Sequence, residues 1–191
     1  PPHDSALVAL VYAPSADLIA GASASGIRLW NTRGEPQKPY PIASPVRSLA
    51  FEGSGKLLVV GAARDTTILE LSDVTPAFRL TLEGAGEVNA VAINRAGSLV
   101  FTGGNDGFVR VWDARKGKAL GTRDPQGGPI FAIALSADER LLWTGTDDGK
   151  ARSWDVRVQR DTTGLAPFIE QRVPWKLGAD DVVRARSSKE Q

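Results

Sequence analysis

The sequence has no cysteine, no methionine and only one histidine, His3. Without cysteine, disulfides, thiolate metal ligands and cysteine nucleophiles are all excluded. With a single histidine, neither a multi-histidine metal site nor a histidine-dependent catalytic triad can form within this chain. The residues therefore predict no catalytic site, no cofactor and no metal.

Long apolar runs and a charge bias are also missing. No stretch approaches the roughly 18 consecutive apolar residues of a membrane-spanning helix, and the first residues show no signal-peptide pattern. The 23 lysines and arginines are balanced by 22 aspartates and glutamates, whereas a nucleic-acid footprint needs a clustered excess of basic residues. We expect no membrane insertion, no nucleic-acid partner, and a cytoplasmic or organelle-soluble location.

What the sequence does contain is an internal repeat. Residues 88–113 (VNAVAINRAGSLVFTGGNDGFVRVWD) and 130–155 (IFAIALSADERLLWTGTDDGKARSWD) align without a gap, so that Trp112 and Trp154 are 42 residues apart. A period of about 40–45 residues is typical of β-propeller blades. Two weaker copies, 6–31 and 46–72, are in phase with these; in the second of them Leu71 takes the tryptophan position and Ser72 the aspartate position. The residues that lead each copy are Tyr12, Phe51, Ile93 and Leu135.

Each copy has the same predicted local structure. Two short β-rich runs are joined by a turn, and a glycine-rich hairpin then leads into a third run. The Asp-Gly pairs at 106–107 and 148–149 supply the positive φ angles that tight hairpins need. A fourth strand is predicted at Ala119–Arg123 and at Phe78–Leu82. Evenly spaced short strands without helical periodicity predict an all-β fold.

The sequence resembles the WD-repeat family, most specifically at Trp112-Asp113 and Trp154-Asp155. The resemblance covers about residues 3–160 and implies a β-propeller of four-stranded antiparallel blades around a central channel. The four blades are expected at about 3–40, 41–82, 83–123 and 124–164, which together make up residues 3–164. Four such blades make a partial or half propeller, because blades of this family are shaped for wider rings.

Something must complete such an arc, and three completions stay open. The ring is closed by the remaining blades of the same protein, by a second copy of the chain, or by a different subunit. The chain begins with Pro1-Pro2 and has no methionine, so we expect it to be a piece of a longer protein, which favours further blades.

The resemblance also implies a buried hydrogen-bond network in each blade. Its members are a Ser/Thr on the second strand, an aspartate in the hairpin, the tryptophan, and a histidine nine residues before the lead position. The histidine positions fall on His3, Ile42, Gly84 and Gln126, so only the first copy keeps the histidine. That copy has Ala24 where the hairpin aspartate would stand, and no copy has the complete set. The structural network residues are predicted to be Thr102, Asp106, Trp112, Thr144, Asp148 and Trp154.

Partners of the family usually dock on the face that carries the loops before the first strand and between the second and third. We therefore expect a partner-binding surface at four positions, each four residues before a lead residue, and at two hairpin neighbours. Phe131 either anchors a peptide or packs against the next blade. In the tail, Trp175 is a candidate anchor that docks the tail on a neighbour. The complete set of candidates is Val8, Arg47, Asn89, Asn105, Phe131, Asp147 and Trp175.

The remaining segment, 165–191, does not fit the repeat, and we predict a C-terminal tail that is extended and then forms a short helix over 180–191. The function predicted for the whole chain is a non-catalytic protein–protein interaction scaffold, a subunit or segment of a multiprotein assembly. The alternative is a propeller-type enzyme or ligand-binding propeller whose active residues lie in blades outside this chain.

Overall fold

The computed structural model describes residues 6–23, 26–37, 39–40, 42, 44–71, 77–82, 86–123, 127–156, 175–177 and 183–185. Within these ranges every regular element is a strand, and none of the chain described forms a helix that could span a membrane. The strands form five antiparallel sheets, and the first four of them are here called blades 1 to 4.

Every strand pairs with its neighbour in the chain, so each blade is an antiparallel meander. Blade 1 contains β1 (Leu7–Tyr12), β2 (Ile19–Ser23) and β3 (Gly26–Trp30). Blade 2 contains β4 (Val46–Phe51), β5 (Leu57–Ala62), β6 (Thr66–Glu70) and β7 (Ala77–Leu82). Blade 3 contains β8 (Val88–Ile93), β9 (Leu99–Gly104), β10 (Val109–Asp113) and β11 (Ala119–Arg123), and blade 4 contains β12 (Ile130–Leu135), β13 (Leu141–Thr146) and β14 (Ala151–Asp155).

The outer strand of blade 1 is irregular. Tyr40 forms an isolated bridge with Ile27, and Pro36 forms one with Trp30, so these two residues lie beside β3. Proline lacks the backbone N–H that a regular ladder requires, and this position tolerates it because the strand lies at the sheet edge.

The blades stack side by side through their inner strands. β1 contacts β4, β4 contacts β8, and β8 contacts β12. Three hydrophobic cores lie between successive blades, one per contact. The described sheets form an arc that does not close into a ring. The prediction of an all-β partial propeller with antiparallel blades is confirmed.

Burial along the strands follows the position of each blade in the arc. All six residues of β5 and of β8 are buried, because blades 2 and 3 have a neighbouring blade on each face. β1, at the first end of the arc, instead has exposed apolar side chains: Val8 is 59%, Leu10 62% and Tyr12 58% exposed. The two end blades thus present apolar surface of the kind that an adjoining blade covers.

Glycine at one position of the second strand lets neighbouring blades approach closely. A Cβ atom on Gly61 would lie 2.7 Å from Val91 Cγ1 of blade 3. A Cβ atom on Gly103, 42 residues later, would lie 2.6 Å from Ile130 Cγ2 of blade 4. These glycines are needed because the next inner strand packs directly onto the backbone at that point.

The predicted tryptophan position of blade 2 is wrong by two residues. Leu69 pairs with Leu58 as Trp112 pairs with Val100, and Glu70 pairs with Leu57 as Asp113 pairs with Leu99. Leu69 and Glu70 therefore take these places, not Leu71 and Ser72. The hairpin of blade 2 has one residue fewer than that of blade 3, and Leu71 instead packs partly buried against the core between blades 1 and 2.

The short helix predicted for the end of the chain is not what the structure shows at the residues described there. β15 (Trp175–Leu177) and β16 (Val183–Ala185) pair as an antiparallel ribbon. The rest of the predicted tail lies outside the described residues.

Candidate functional site

The four inner strands share a β-bulge at one position, and the predicted surface residues are the bulged residues. In each pair of inner and second strands the register slips by one, between Leu7 and Ala9, Val46 and Ser48, Val88 and Ala90, and Ile130 and Ala132. The residues skipped by the ladder are Val8, Arg47, Asn89 and Phe131. A bulge leaves one residue unpaired and redirects its side chain. Each of the four inner strands has its bulge near its N-terminal end, so the bulged residues lie on the same face of the arc.

Polar side chains on this face form a ring that consists of three hydrogen bonds and one ion pair. Arg47 Nη1 donates to Asn89 Oδ1, and Asn89 Nδ2 donates to Asn105 Oδ1 at 2.7 Å. Asn105 Nδ2 donates to a carboxylate oxygen of Glu87, which also lies 3.8 Å from Arg47 Nη2. We call Arg47, Glu87, Asn89 and Asn105 the polar ring.

The polar ring connects three blades. Arg47 belongs to β4 of blade 2, whereas Asn89 and Asn105 belong to blade 3. Asn89 Nδ2 also donates to the backbone carbonyl of Ile130 in blade 4, at 3.1 Å. Asn89 is buried, while the Arg47 and Glu87 side chains are 37% and 52% exposed. The ring is therefore anchored at its base and exposed to solvent at its charged edge.

Glu87 was missed by the sequence-based prediction. It precedes β8 by one residue and carries no motif of its own. Its place could have been found from the hairpin register, because the Asn105 N–H donates to the Glu87 carbonyl at 3.2 Å. Asp147 holds the equivalent hairpin place in blade 4, where its N–H donates to the Pro129 carbonyl at 3.0 Å.

Apolar residues border the polar ring on both sides. Val8 is 59% and Phe131 58% exposed, and Asp147 near the start of β12 is exposed as well. Phe131 lies in the last of the four described blades, so both interpretations of this residue, an anchor or a residue packed on the next blade, stay predictions. Trp175 lies in β15, and its side chain is outside what the structure describes.

The predicted structural network is present only in part. Trp112 Nε1 donates to Thr102 Oγ1 at 3.0 Å, and Trp154 Nε1 donates to Thr144 Oγ1 at 3.3 Å. The two aspartates do not join these pairs in the hydrogen bonds found. Asp106 accepts from Arg110 Nη2 at 2.6 Å, and Asp148 accepts from Arg152 Nη2 at 2.7 Å.

An arginine four residues along the same hairpin thus bonds each aspartate in blades that lack the family histidine. Burial raises the pKa of Asp106, but hydrogen bonds from Arg110 and the Phe108 N–H outweigh it and hold the pKa below the usual aspartate value. The Arg152 hydrogen bond, followed by that of Thr146, holds the pKa of Asp148 far below its ordinary value. Of the four histidine positions only Ile42 is described, and it packs against the core between blades 1 and 2.

The depressed pKa of Asp148 predicts a pH-dependent contribution to stability. Because the pKa is lower in the folded than in the unfolded state, the contribution is fully present above the unfolded value of about 3.9 and is lost as the pH falls through the folded value. At pH 7, Asp148→Asn should lower the free energy of unfolding by about 0.2–1 kcal/mol, as for a partly exposed ion pair. Urea unfolding measured from pH 7 to pH 2 should show the two curves converging. The exposed neighbour provides the control, since Asp147→Asn should leave the curve unchanged; a constant gap at all pH values would contradict the assignment.

One repeat of the chain is similar to a known family of domains. Residues 77–113 match the family described as WD domain, G-beta repeat. The matched unit runs from β7, the outer strand of blade 2, through β8, β9 and β10 of blade 3. The sequence repeat is therefore offset by one strand from the sheet, so each unit links two adjacent blades.

Two curated proteins are similar to parts of the chain. The protein transport protein SEC31 of Chaetomium globosum is 29% identical over 124 residues, covering 59% of this chain and 10% of that protein. The small ribosomal subunit protein RACK1z of Oryza sativa subsp. japonica is 48% identical over 48 residues, covering 25% of this chain and 14% of that protein. The chain thus spans only a small part of the length of these relatives. The matched repeat, the in-phase copies on both sides of it and the stacked antiparallel blades are features that the chain shares with WD-repeat proteins.

Proposed function

We propose that this chain is a non-catalytic interaction scaffold within a multiprotein assembly, and that a partner protein docks on the bulged end of its inner strands. The observation that carries the proposal is the alignment of four bulged residues in consecutive inner strands. Two of them are more than half exposed and apolar, and the two between them belong to the polar ring.

The chemistry of this surface fits an extended peptide. Phe131 offers an exposed aromatic face for an apolar side chain, and aromatic anchors dominate binding energy at interfaces. The half-exposed guanidinium of Arg47 offers charge-assisted donors to an acidic group. Since Asn89 is buried and bonds across three blades, the surface is preorganised and little entropy is lost on binding.

The names of the two similar proteins support this class of function. One is a ribosomal subunit protein and the other a protein transport protein, and each name describes work with other macromolecules. The ring is proposed to be completed by the remaining blades of the same protein, with a second copy or a different subunit as the alternatives, because both end blades present apolar faces.

The test is the selection of peptides on the full chain from a display library, followed by calorimetric titration of the selected peptides. Phe131→Ala and Arg47→Ala should each weaken the Kd by about tenfold or more, the scale of a hot-spot residue. The matched control is Lys116→Ala, an exposed residue in the turn between β10 and β11 at the opposite end of the blade. Equal affinity for all variants would contradict the proposal, and a large stability loss in Phe131→Ala would assign that residue to the core.

A further inference from the structure

The free face of blade 4 has a glycine at the position where, in blades 2 and 3, the inner strand of the next blade packs. Gly145 follows Gly61 and Gly103 at the 42-residue period. A Cβ atom on either of the first two would lie within 2.7 Å of an inner strand of the next blade. At Gly145 the nearest atom is Ala132 Cβ of its own blade, at 3.4 Å. Within the described residues, Gly145 therefore has space for the inner strand of a further blade, and no such strand fills it.

A hairpin with the right spacing follows in the same chain. β15 begins at Trp175 and β16 at Val183, which are 42 residues after Ile133 in β12 and Leu141 in β13. The two strands pair antiparallel, as an inner and a second strand do in every blade. Their connection is one residue shorter, since Leu177 pairs with Val183 whereas Leu135 pairs with Leu142.

The sequence of this hairpin repeats that of blade 4. Residues 177–183 read LGADDVV and residues 135–141 read LSADERL, with leucine, alanine and aspartate at identical positions. A leading aromatic or aliphatic residue, a polar turn and a return to apolar residues are the features that define the first two strands of each copy. The period, the strand pairing and the turn sequence thus agree independently.

We propose that β15 and β16 are the inner hairpin of a fifth copy of the repeat, and that β15 packs on blade 4 at Gly145. Residue 175 corresponds to Ile133, whose Cδ1 would lie 2.9 Å from a Cβ on Gly103. By this correspondence Trp175 takes the position of Ile133 in the fifth copy, opposite Gly145, so the neighbour on which the tail docks is blade 4 itself. The hairpin already contacts blade 4 through β14, one strand outward from the strand that carries Gly145.

This inference is independent of the peptide-docking surface, because its tests measure stability and amide protection rather than binding. Failure of one proposal therefore leaves the other standing. It also specifies one of the completions of the arc, since the open face of blade 4 is covered by the same chain and not by a second copy.

The first test is Gly145→Val in the full chain. If β15 packs on Gly145, valine should lower the urea midpoint and reduce amide-exchange protection of residues 175–177 and 183–185 by about tenfold or more, while the core strands β5 and β9 stay protected. On an open strand position valine is favoured over glycine. An unchanged or raised midpoint with unaltered protection of the hairpin would overturn the proposal.

The second test is Trp175→Ala, with Lys176→Ala as the matched neighbour on the other side of the strand. Trp175→Ala should lower hairpin protection and the urea midpoint, and it should reduce the additional effect of Gly145→Val when the two are combined. Lys176→Ala should change neither quantity. Identical behaviour of the two alanine variants, or fully additive effects of Trp175→Ala and Gly145→Val, would exclude the proposed contact.

Discussion

Replacement of Trp112 by alanine is expected to lower the free energy of unfolding by about 3–5 kcal/mol, the usual cost of removing a large aromatic from a packed core. Trp112 is 2% exposed and lies in the core between blades 2 and 3, with Val59 and Ile68 of blade 2. Its Nε1 also donates to Thr102 Oγ1, a buried acceptor that alanine leaves without this partner. Since small domains are stable by only about 5–15 kcal/mol, the variant should unfold at markedly lower urea concentration.

The control for this prediction is the same substitution one repeat later. Trp154 also bonds its threonine but is only partly buried, at the edge of the core between blades 3 and 4. Trp154→Ala should therefore cost less than Trp112→Ala. Urea unfolding followed by circular dichroism measures both variants on the same scale. A loss for Trp154→Ala equal to or above that of Trp112→Ala would show that burial between blades does not set the cost.

Gly103→Val is expected to destabilise the protein by about 1–3 kcal/mol or more through overpacking. A Cβ atom at this position would lie 2.6 Å from Ile130 Cγ2 and 2.9 Å from Ile133 Cδ1. The clash must be relieved by moving β12 away from blade 3. The Ile130 carbonyl accepts a hydrogen bond from Asn89, so the same movement disturbs the polar ring.

A rescue experiment distinguishes this steric mechanism from a general intolerance of β9. Ile133→Ala removes Cδ1, which would lie 2.9 Å from the introduced Cβ, and leaves the closer contact with Ile130. Gly103→Val should therefore cost less in that background than in the native chain, with only part of the loss rescued. A double-mutant cycle of urea unfolding energies gives the coupling between the two positions. Strict additivity would contradict the packing of Ile133 on Gly103.

The two experiments address the same physical property of the molecule. The blades are held by side chains that cross from one sheet to the next, and both faces of a middle blade are buried. We therefore expect a packing change in one blade to move the bulged residues of its neighbour. A scaffold requires this rigidity, because a preorganised docking surface loses less entropy on binding.

The repeat and its hairpins could be predicted from the sequence because their signals are local. The spacing of Trp112 and Trp154 sets the period, and Asp-Gly pairs set the turns. The position equivalent to Trp112 in blade 2 was misassigned to Leu71. The 42-residue period alone points to residue 70, and a hairpin shortened by one residue moves the position to Leu69. Only the strand register reveals that Leu69 takes this place.

The hydrogen-bond partners of the predicted site residues could not be obtained in this way. The prediction placed Asp106 in a network with Trp112, whereas the structure pairs it with Arg110. Glu87 gave no signal at all, because its role comes from lying across a hairpin from Asn105. Local pattern does not specify which of several nearby donors an exposed carboxylate will meet.

The sequence by itself determined the all-β class, the 42-residue period and the four in-phase positions at which Val8, Arg47, Asn89 and Phe131 stand. These follow from backbone preferences and apolar alternation, which act over a few residues at a time. Tertiary structure alone decided that these positions are bulges, that Asn89 bonds across three blades, and that Gly103 receives the next inner strand. These contacts between blades join residues that are 27 to 42 positions apart in the chain, and they exist only after stacking has buried the blade faces against one another.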